Sequence, residues 1–278
     1  MATKNALLTI LVEKINNDTL VLPTLPAIAL KVRRSADDPN VNLNTMAEVV
    51  RQDPSLSARM IKISNSAYLG RTIKVTSTQQ AITRIGLRQM KSIATALAME
   101  QLFVSKNEIV KQYMSQIWAN TIEVVANSLA VLQIYTNRTK NRKLNMESMM
   151  LAALVHNIGV LPILTEAERH ADVFANPAFL DVAIKTMAGK IGASIMTEWG
   201  FEPEFVDVAQ NWNDLSVTSE TVSYLDLVRL GAALCGKFDS NKEDIFNAAI
   251  DKGIIDDLSE LLSDEFDELL DGAKQLFK

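Results

Sequence analysis

Two stretches of this chain, Ile117 to Ile134 and Leu151 to Leu161, are apolar on almost every side when wound at 3.6 residues per turn. A helix of that kind has no face to give to water, so other elements must surround it and the fold has to be built around buried central helices. The surrounding elements show as apolar positions at three- and four-residue spacing, in Leu7-Leu8-Leu11-Val12-Ile15, in Met46-Val49-Val50 and in Leu56-Met60-Ile61. Strict alternation over five or more residues is scarce, which leaves no source for a sheet. The expected class is all-α.

Boundaries follow ordinary local chemistry. Pro23 and Pro26 frame the entry to one helix, and Asp53-Pro54 supplies an N-cap followed by proline at the first helical position. Gly70, Gly86, Gly159 and Gly200 are natural stops. No low-complexity linker divides the chain. The least apolar joints are Ser105 to Glu108 and Asn137 to Lys143, and placing a boundary at the first predicts a helical lobe over 1–105 and a second over 106–278.

With 278 residues, 48% of them hydrophobic, the chain can bury a sizeable core. A lone cysteine, Cys235, excludes an intrachain disulfide and suits a reducing cytoplasm. The apolar stretch Ala6 to Val12 is closed by Glu13 and Lys14 without a cleavage pattern, so secretion is not expected. Apolar runs are interrupted before the length of about 20 residues that spans a bilayer, which predicts a cytoplasmic protein with no membrane segment.

Only two histidines occur. His156 lies in Leu151-Ala-Ala-Leu-Val-His-Asn-Ile-Gly159, followed by Asn157. A His-Asp pair ending an apolar helix can hold a divalent metal, because imidazole nitrogen and carboxylate oxygen donate to one ion; an amide oxygen in the second place carries no charge and binds weakly. Asn120, Glu123 and Asn127 share one helical face and could line a polar pocket facing His156. The alternative is that they bond to neighbouring helices or reach solvent, as buried polar groups normally do. His170 lies in the charged run Glu166-Ala-Glu-Arg-His170 and could not complete a metal cluster unaided.

Between Leu22 and Phe103 four motifs occur in order: Leu22-Pro-Thr-Leu-Pro26, Val50-Arg-Gln-Asp-Pro-Ser-Leu56, Ile63-Ser-Asn-Ser-Ala-Tyr-Leu-Gly70 and Gln80-Ala-Ile-Thr-Arg-Ile-Gly-Leu87. In that order and spacing they resemble the bacterial HDOD domain, an all-helical regulatory module related to the HD metal-dependent phosphohydrolases, and the likeness continues to about Phe238. The resemblance implies an HD-like helical bundle with an abutting N-terminal helical lobe. It also implies where metal ligands would stand in members that keep them. Asn120 occupies the place of the first histidine, two positions after Trp118, which is read as opening the first central helix. His156-Asn157 replaces His-Asp, Ala188 replaces a histidine before Gly192-Ala193, and Trp212-Asn213 replaces a double histidine. The late aspartate falls at Gly231 or Ala232. One candidate ligand survives where three protein ligands are about the minimum for a catalytic zinc. The expectation is a degenerate site without bound metal or other cofactor, with His156 as a core histidine.

Other chemistries find no foothold. There is no phosphate-binding glycine loop and no Gly-x-Ser-x-Gly elbow, and Cys235 sits in the apolar run Leu230 to Gly236, where an inert thiol is expected. Charge gives the remaining clue. From 51 to 91 the basic residues Arg51, Arg59, Lys62, Arg71, Lys74, Arg84, Arg88 and Lys91 face one acid, Asp53, while 251–278 holds nine acids and three bases. The basic stretch is a candidate partner-binding face. It looks superficially like a helix-turn-helix, but a chain at net −5 and pI 5.2 argues against nucleic acid. The tail reads as one amphipathic helix with Leu258, Leu262, Phe266, Leu269, Leu270 and Ala273 on its apolar stripe, packed on the core or serving a dimer interface.

The expected function is that of a non-catalytic signal-transduction scaffold that binds a protein of a two-component or cyclic-dinucleotide pathway, or a small anionic ligand. A homodimer is left open. The alternative is a divergent metal-dependent phosphohydrolase or phosphodiesterase of the HD superfamily.

Overall fold

The computed structural model describes residues 6–66, 73–140, 143–169, 177–238 and 240–277, and among these there is no strand. The first lobe is built from α2 (Ala27–Ala36), α3 (Leu43–Arg51), α4 (Pro54–Ser64), α5 (Thr78–Ile85) and α6 (Leu87–Ala98). Their starts are fixed by side-chain caps. Asn42 and Thr45 form a reciprocal capping box on α3, Asp53 Oδ1 accepts from the Leu56 amide at 2.9 Å ahead of Pro54, and Ser77 caps α5. Between α5 and α6 the chain reverses at Gly86, whose φ of +88° suits glycine.

The second lobe is organised around α7 (Glu108–Thr139), about 48 Å long. Its start corrects the sequence reading: Asn107 accepts from the Ile109 and Val110 amides, so the helix opens ten residues before Trp118, which lies within it and packs on Phe103. From Val124 to Leu132 every residue of α7 is buried. Around it lie α8 (Met146–Val155), α12 (Tyr224–Leu234) and α14 (Asp264–Lys274), with α9 (Val160–Arg169), α10 (Pro177–Glu198), α11 (Pro203–Asn211) and α13 (Lys242–Asp251) completing the lobe. The apolar stretch read as Leu151 to Leu161 is two helices, broken between His156 and Gly159. Here Gly159 meets α10 so closely that a Cβ would stand 1.9 Å from the Ala188 carbonyl oxygen. Gly231 of α12 meets α7 in the same way, 2.3 Å from Ser128 Oγ.

By length and composition Glu108–Thr139 and Met146–Arg169 do reach what a membrane span requires, contrary to the expectation from interrupted runs. In the most apolar 18-residue stretch of each, 61% and 83% of the residues are buried inside the protein, and the segments, α7 and the α8–α9 pair, form its core. The acidic tail is also not one helix. A 3₁₀ turn, Leu258–Leu262, ends at Ser263, which caps the Phe266 amide and starts α14. Leu258 and Leu262 therefore leave the stripe and are exposed, while Phe266 and Ala273 are buried as α14 packs on α7.

The lobes meet through α6 and α8 and through a clasp made by two sequence motifs far apart in the chain. The Trp199 indole N–H donates to the Pro23 carbonyl at 3.0 Å. Arg33 of α2 lies 3.9 Å over the Phe201 ring and donates to the Trp199 and Gly200 carbonyls at 3.4 and 3.1 Å. Burial holds the Arg33 pKa below its ordinary value, with Glu202 opposing. Arg33→Ala should lower stability by about 2 kcal/mol, as loss of a cation–π contact and two part-buried hydrogen bonds, read from urea midpoints. α1 (Ala6–Asn16) precedes the first lobe in sequence but packs on α9 and α10, burying Leu7 and Leu11 and joining Lys14 to Glu166 at 2.7 Å. At the other end the short 3₁₀ turn Gln275–Phe277 reaches α4.

Candidate functional site

His156 closes α8 and is 3% exposed. Its Nδ1–H donates to the Ala153 carbonyl at 2.5 Å, which fixes the ring and its tautomer. Trp212, at the C-terminal end of α11, stands against the imidazole at 4.8 Å between centroids and 89° between planes. Phe238 packs on Trp212 at 5.8 Å. Burial drives the His156 pKa from 6.5 to about 4, the Ala153 bond opposes this, and Lys237 adds to it, so the ring is neutral near pH 7.

Trp212 is held there by a residue that sequence reasoning missed. Arg229, on the mostly apolar α12 and 6% exposed, donates to the carbonyls of Asn211 (2.7 Å), Trp212 (3.3 Å) and Val217 (2.6 Å) and to that of Asp214. These carbonyls lie at the end of α11 and in the loop after it; those of Asn211 and Asp214 also accept from the Asp214 and Val217 amides at 3.0 and 3.3 Å, and a guanidinium presents donors in a fork that can serve several at once. The signal was present in the sequence as one of two charges, with Asp226, within Tyr224 to Leu234.

The other positions expected at the site are placed as follows. Asn157 is half-buried, and its Oδ1 is buried without a hydrogen-bond partner. Ala188 is buried on α10 beneath Gly159. Asn213 is half-buried beside Trp212. Asn120 accepts from Gln116 at 3.0 Å, Glu123 is exposed and pairs with Lys274 at 2.8 Å, and Asn127 donates to the Glu123 carbonyl and to Cys235 Sγ. The polar face of α7 thus bonds to its neighbours, the alternative to a pocket facing His156. The Cys235 thiol is pushed up to about 11 chiefly by burial, in keeping with an inert group. His170 lies outside the described residues.

Taken together these residues do not fit a metal. The Ala153 bond leaves the other imidazole nitrogen as one donor, but Ala188 has no side-chain donor, and at Gly231 a carboxylate side chain would collide with Ser128 and Val124. Among the described residues no three of His, Cys, Asp and Glu gather as a metal would need.

The basic stretch is less uniform than its sequence suggests. Arg59 pairs with Glu100, Lys91 with Asp37 at 2.9 Å, and Arg84 donates to the Ser64 carbonyl at 3.0 Å and to that of Ile73. Both acids lie outside the 51–91 window and were missed for that reason. Arg51 is exposed, with a bond to Gln79, and Lys62 and Lys74 are exposed. Arg71 and the Arg88 side chain lie outside the described residues.

Outside Trp212 an open cleft of about 1070 Å³ runs between α10 and the loops that follow α11 and α12. Lys185, Lys190, Asn211, Asn213, Lys237 and Ser240 are among its lining residues.

Comparison with known proteins gives this architecture a family. A solved structure from Shewanella amazonensis, named "Putative metal-dependent phosphohydrolase", is 38% identical with a TM-score of 0.95, each chain covering 100% of the other. A protein of Marinobacter aquaeolei named "Putative signal transduction protein" is 18% identical with a TM-score of 0.56, over 94% of this chain and 60% of that one. A Treponema pallidum protein named "Uncharacterized protein" is 22% identical over 205 residues, 70% of this chain, which spans only 38% of that relative's length. The HDOD domain model matches residues 22–215. That match takes in the four N-terminal motifs, the clasp, His156 and Trp212, and the chain belongs to the HDOD domain family.

Proposed function

We propose that this HDOD protein is a regulatory module that acts by binding and does no chemistry at His156. The observation that supports the reading is the missing ligand set: beside His156, whose Nδ1–H is bonded to Ala153 and whose ring packs against Trp212, Asn157, Ala188 and Asn213 supply no carboxylate or second imidazole. Hydrolysis of a phosphodiester needs an activated water, and without a metal nothing at this site lowers its pKa. The partner in this reading is another cytoplasmic signalling protein, of a two-component or cyclic-dinucleotide pathway. It would be met across the lobe junction or by Arg51, Lys62 and Lys74 on the first lobe.

A second reading, a metal-dependent phosphohydrolase, is favoured by the name of the Shewanella structure at 38% identity. Metal analysis of the purified protein separates the two. The binding reading expects less than stoichiometric Fe, Mn or Zn and no phosphodiesterase activity, both in the wild type and in Asn157→Asp, which restores one carboxylate but no other ligand. Stoichiometric metal with activity lost in His156→Ala would establish the hydrolase instead.

A further inference from the structure

We infer that the cleft outside Trp212 is a binding site for a small polyphosphate anion, with the diphosphate group as the element recognised. Three lysines line it: Lys185 and Lys190 from α10, and Lys237 from the loop after α12. All three are exposed, and none has a side-chain hydrogen bond or ion pair among the described residues. Three ammonium groups gathered on one cleft run against the net charge of −5 and give this surface a local field that draws anions. Two aspartates also line the cleft: Asp181, one turn before Lys185, and Asp214, which the Ser216 amide and hydroxyl hold in its charged form at 3.1 and 2.6 Å. The three lysines outnumber these two acids, and position 239 lies outside the described residues.

The cleft is built rather than incidental. α10 meets the end of α11 so closely that a Cβ at Gly189 would stand 2.3 Å from the Gln210 carbonyl oxygen, which fixes Lys185 and Lys190 relative to Asn211 and Asn213. Arg229 clamps the loop carrying those two amides. The volume of about 1070 Å³ is that of a site for a small organic ligand rather than a single ion. Lysine ammoniums recognise phosphate as mobile point charges, neighbouring amide N–H groups add directed bonds, and the half-exposed Trp212–Phe238 pair offers an apolar wall. None of this uses His156, so the inference stands apart from whether that residue has chemistry.

Calorimetric titration at low salt with inorganic pyrophosphate and, separately, with GDP tests it. The expected result is saturable binding that weakens as salt rises and falls about tenfold in each of Lys185→Ala and Lys237→Ala, with Lys111→Ala, an exposed lysine near the start of α7, as an unchanged control. Binding of both probes assigns the diphosphate itself, and binding of GDP alone assigns a diphosphate that needs its organic part. No saturable binding of either probe, or binding equally tight in the lysine variants, would overturn the proposal. The lysines are exposed, so circular dichroism should show all variants folded as the wild type.

Discussion

Replacing Arg229 with alanine should lower stability by about 4 kcal/mol and release Trp212 from its place against His156. The size follows from what the guanidinium does. It donates to four main-chain carbonyls, at Asn211, Trp212, Asp214 and Val217, from a position 6% exposed. Removing it takes a donor from each of these acceptors, of which those of Asn211 and Asp214 keep a main-chain bond, and leaves a void between α11 and α12. Lysine is a poor replacement, because one ammonium with three donors cannot span four carbonyls, so Arg229→Lys should recover half of the loss or less. Urea unfolding followed by circular dichroism measures the first effect. NMR titration of His156 measures the second, since a ring opened to water should titrate well above its value of about 4. A loss below about 1 kcal/mol with an unmoved His156 titration would show that the loop is held by other contacts.

Acidification should remove about 3 kcal/mol of stability between pH 6.5 and pH 4 through His156 alone. In the unfolded chain the imidazole takes up a proton below about 6.5, whereas in the folded protein burial postpones this to about 4. Across that window the unfolded state binds the extra proton, so the stability present above pH 6.5 is lost as pH falls, and below about 4 no more is lost from this group. The control is His156→Gln, which is neutral throughout. Its absolute stability is expected to differ, so the readout is the slope of urea midpoint against pH. The wild-type slope should exceed the variant's between pH 4 and 6.5, and equal slopes would mean that the ring is hydrated in the folded state.

The parts of this structure that were legible in the sequence are those governed by neighbours within a turn or two. The all-round apolarity of Ile117 to Ile134 identified the buried centre of α7, and Asp53-Pro54 marked the start of α4, because periodicity and capping are local. The likeness of the Leu22–Pro26 motif to a family was legible, but that Pro23 accepts from the Trp199 indole was not. Reading failed once at a local cap that the stripe overlooked and otherwise where a distant partner decided the outcome. Ser263 breaks the tail because its hydroxyl caps Phe266, so the stripe drawn from Leu258 to Ala273 crossed a helix start. The basic stretch was counted without Asp37 and Glu100, which lie outside its window yet pair with Lys91 and Arg59. At the candidate site the identities of Asn120, His156, Asn157, Ala188, Trp212 and Asn213 were legible, but not their surroundings. Trp212 against His156, and Arg229 holding Trp212, belong to the tertiary fold and had no counterpart in spacing.

The docking of α1 on α9 and α10 has a kinetic side. Leu7 and Leu11 reach their burial only against helices some 150 to 190 positions further along the chain, after the whole first lobe has been threaded between them. Closing a loop of that length costs entropy before any contact rewards it, so α1 should be among the last elements to settle. During synthesis the apolar face of α1 must remain uncovered until α10 has emerged, and a ribosome-bound chain ending between α6 and α9 is the form in which that face is open to chaperones or to a neighbouring copy.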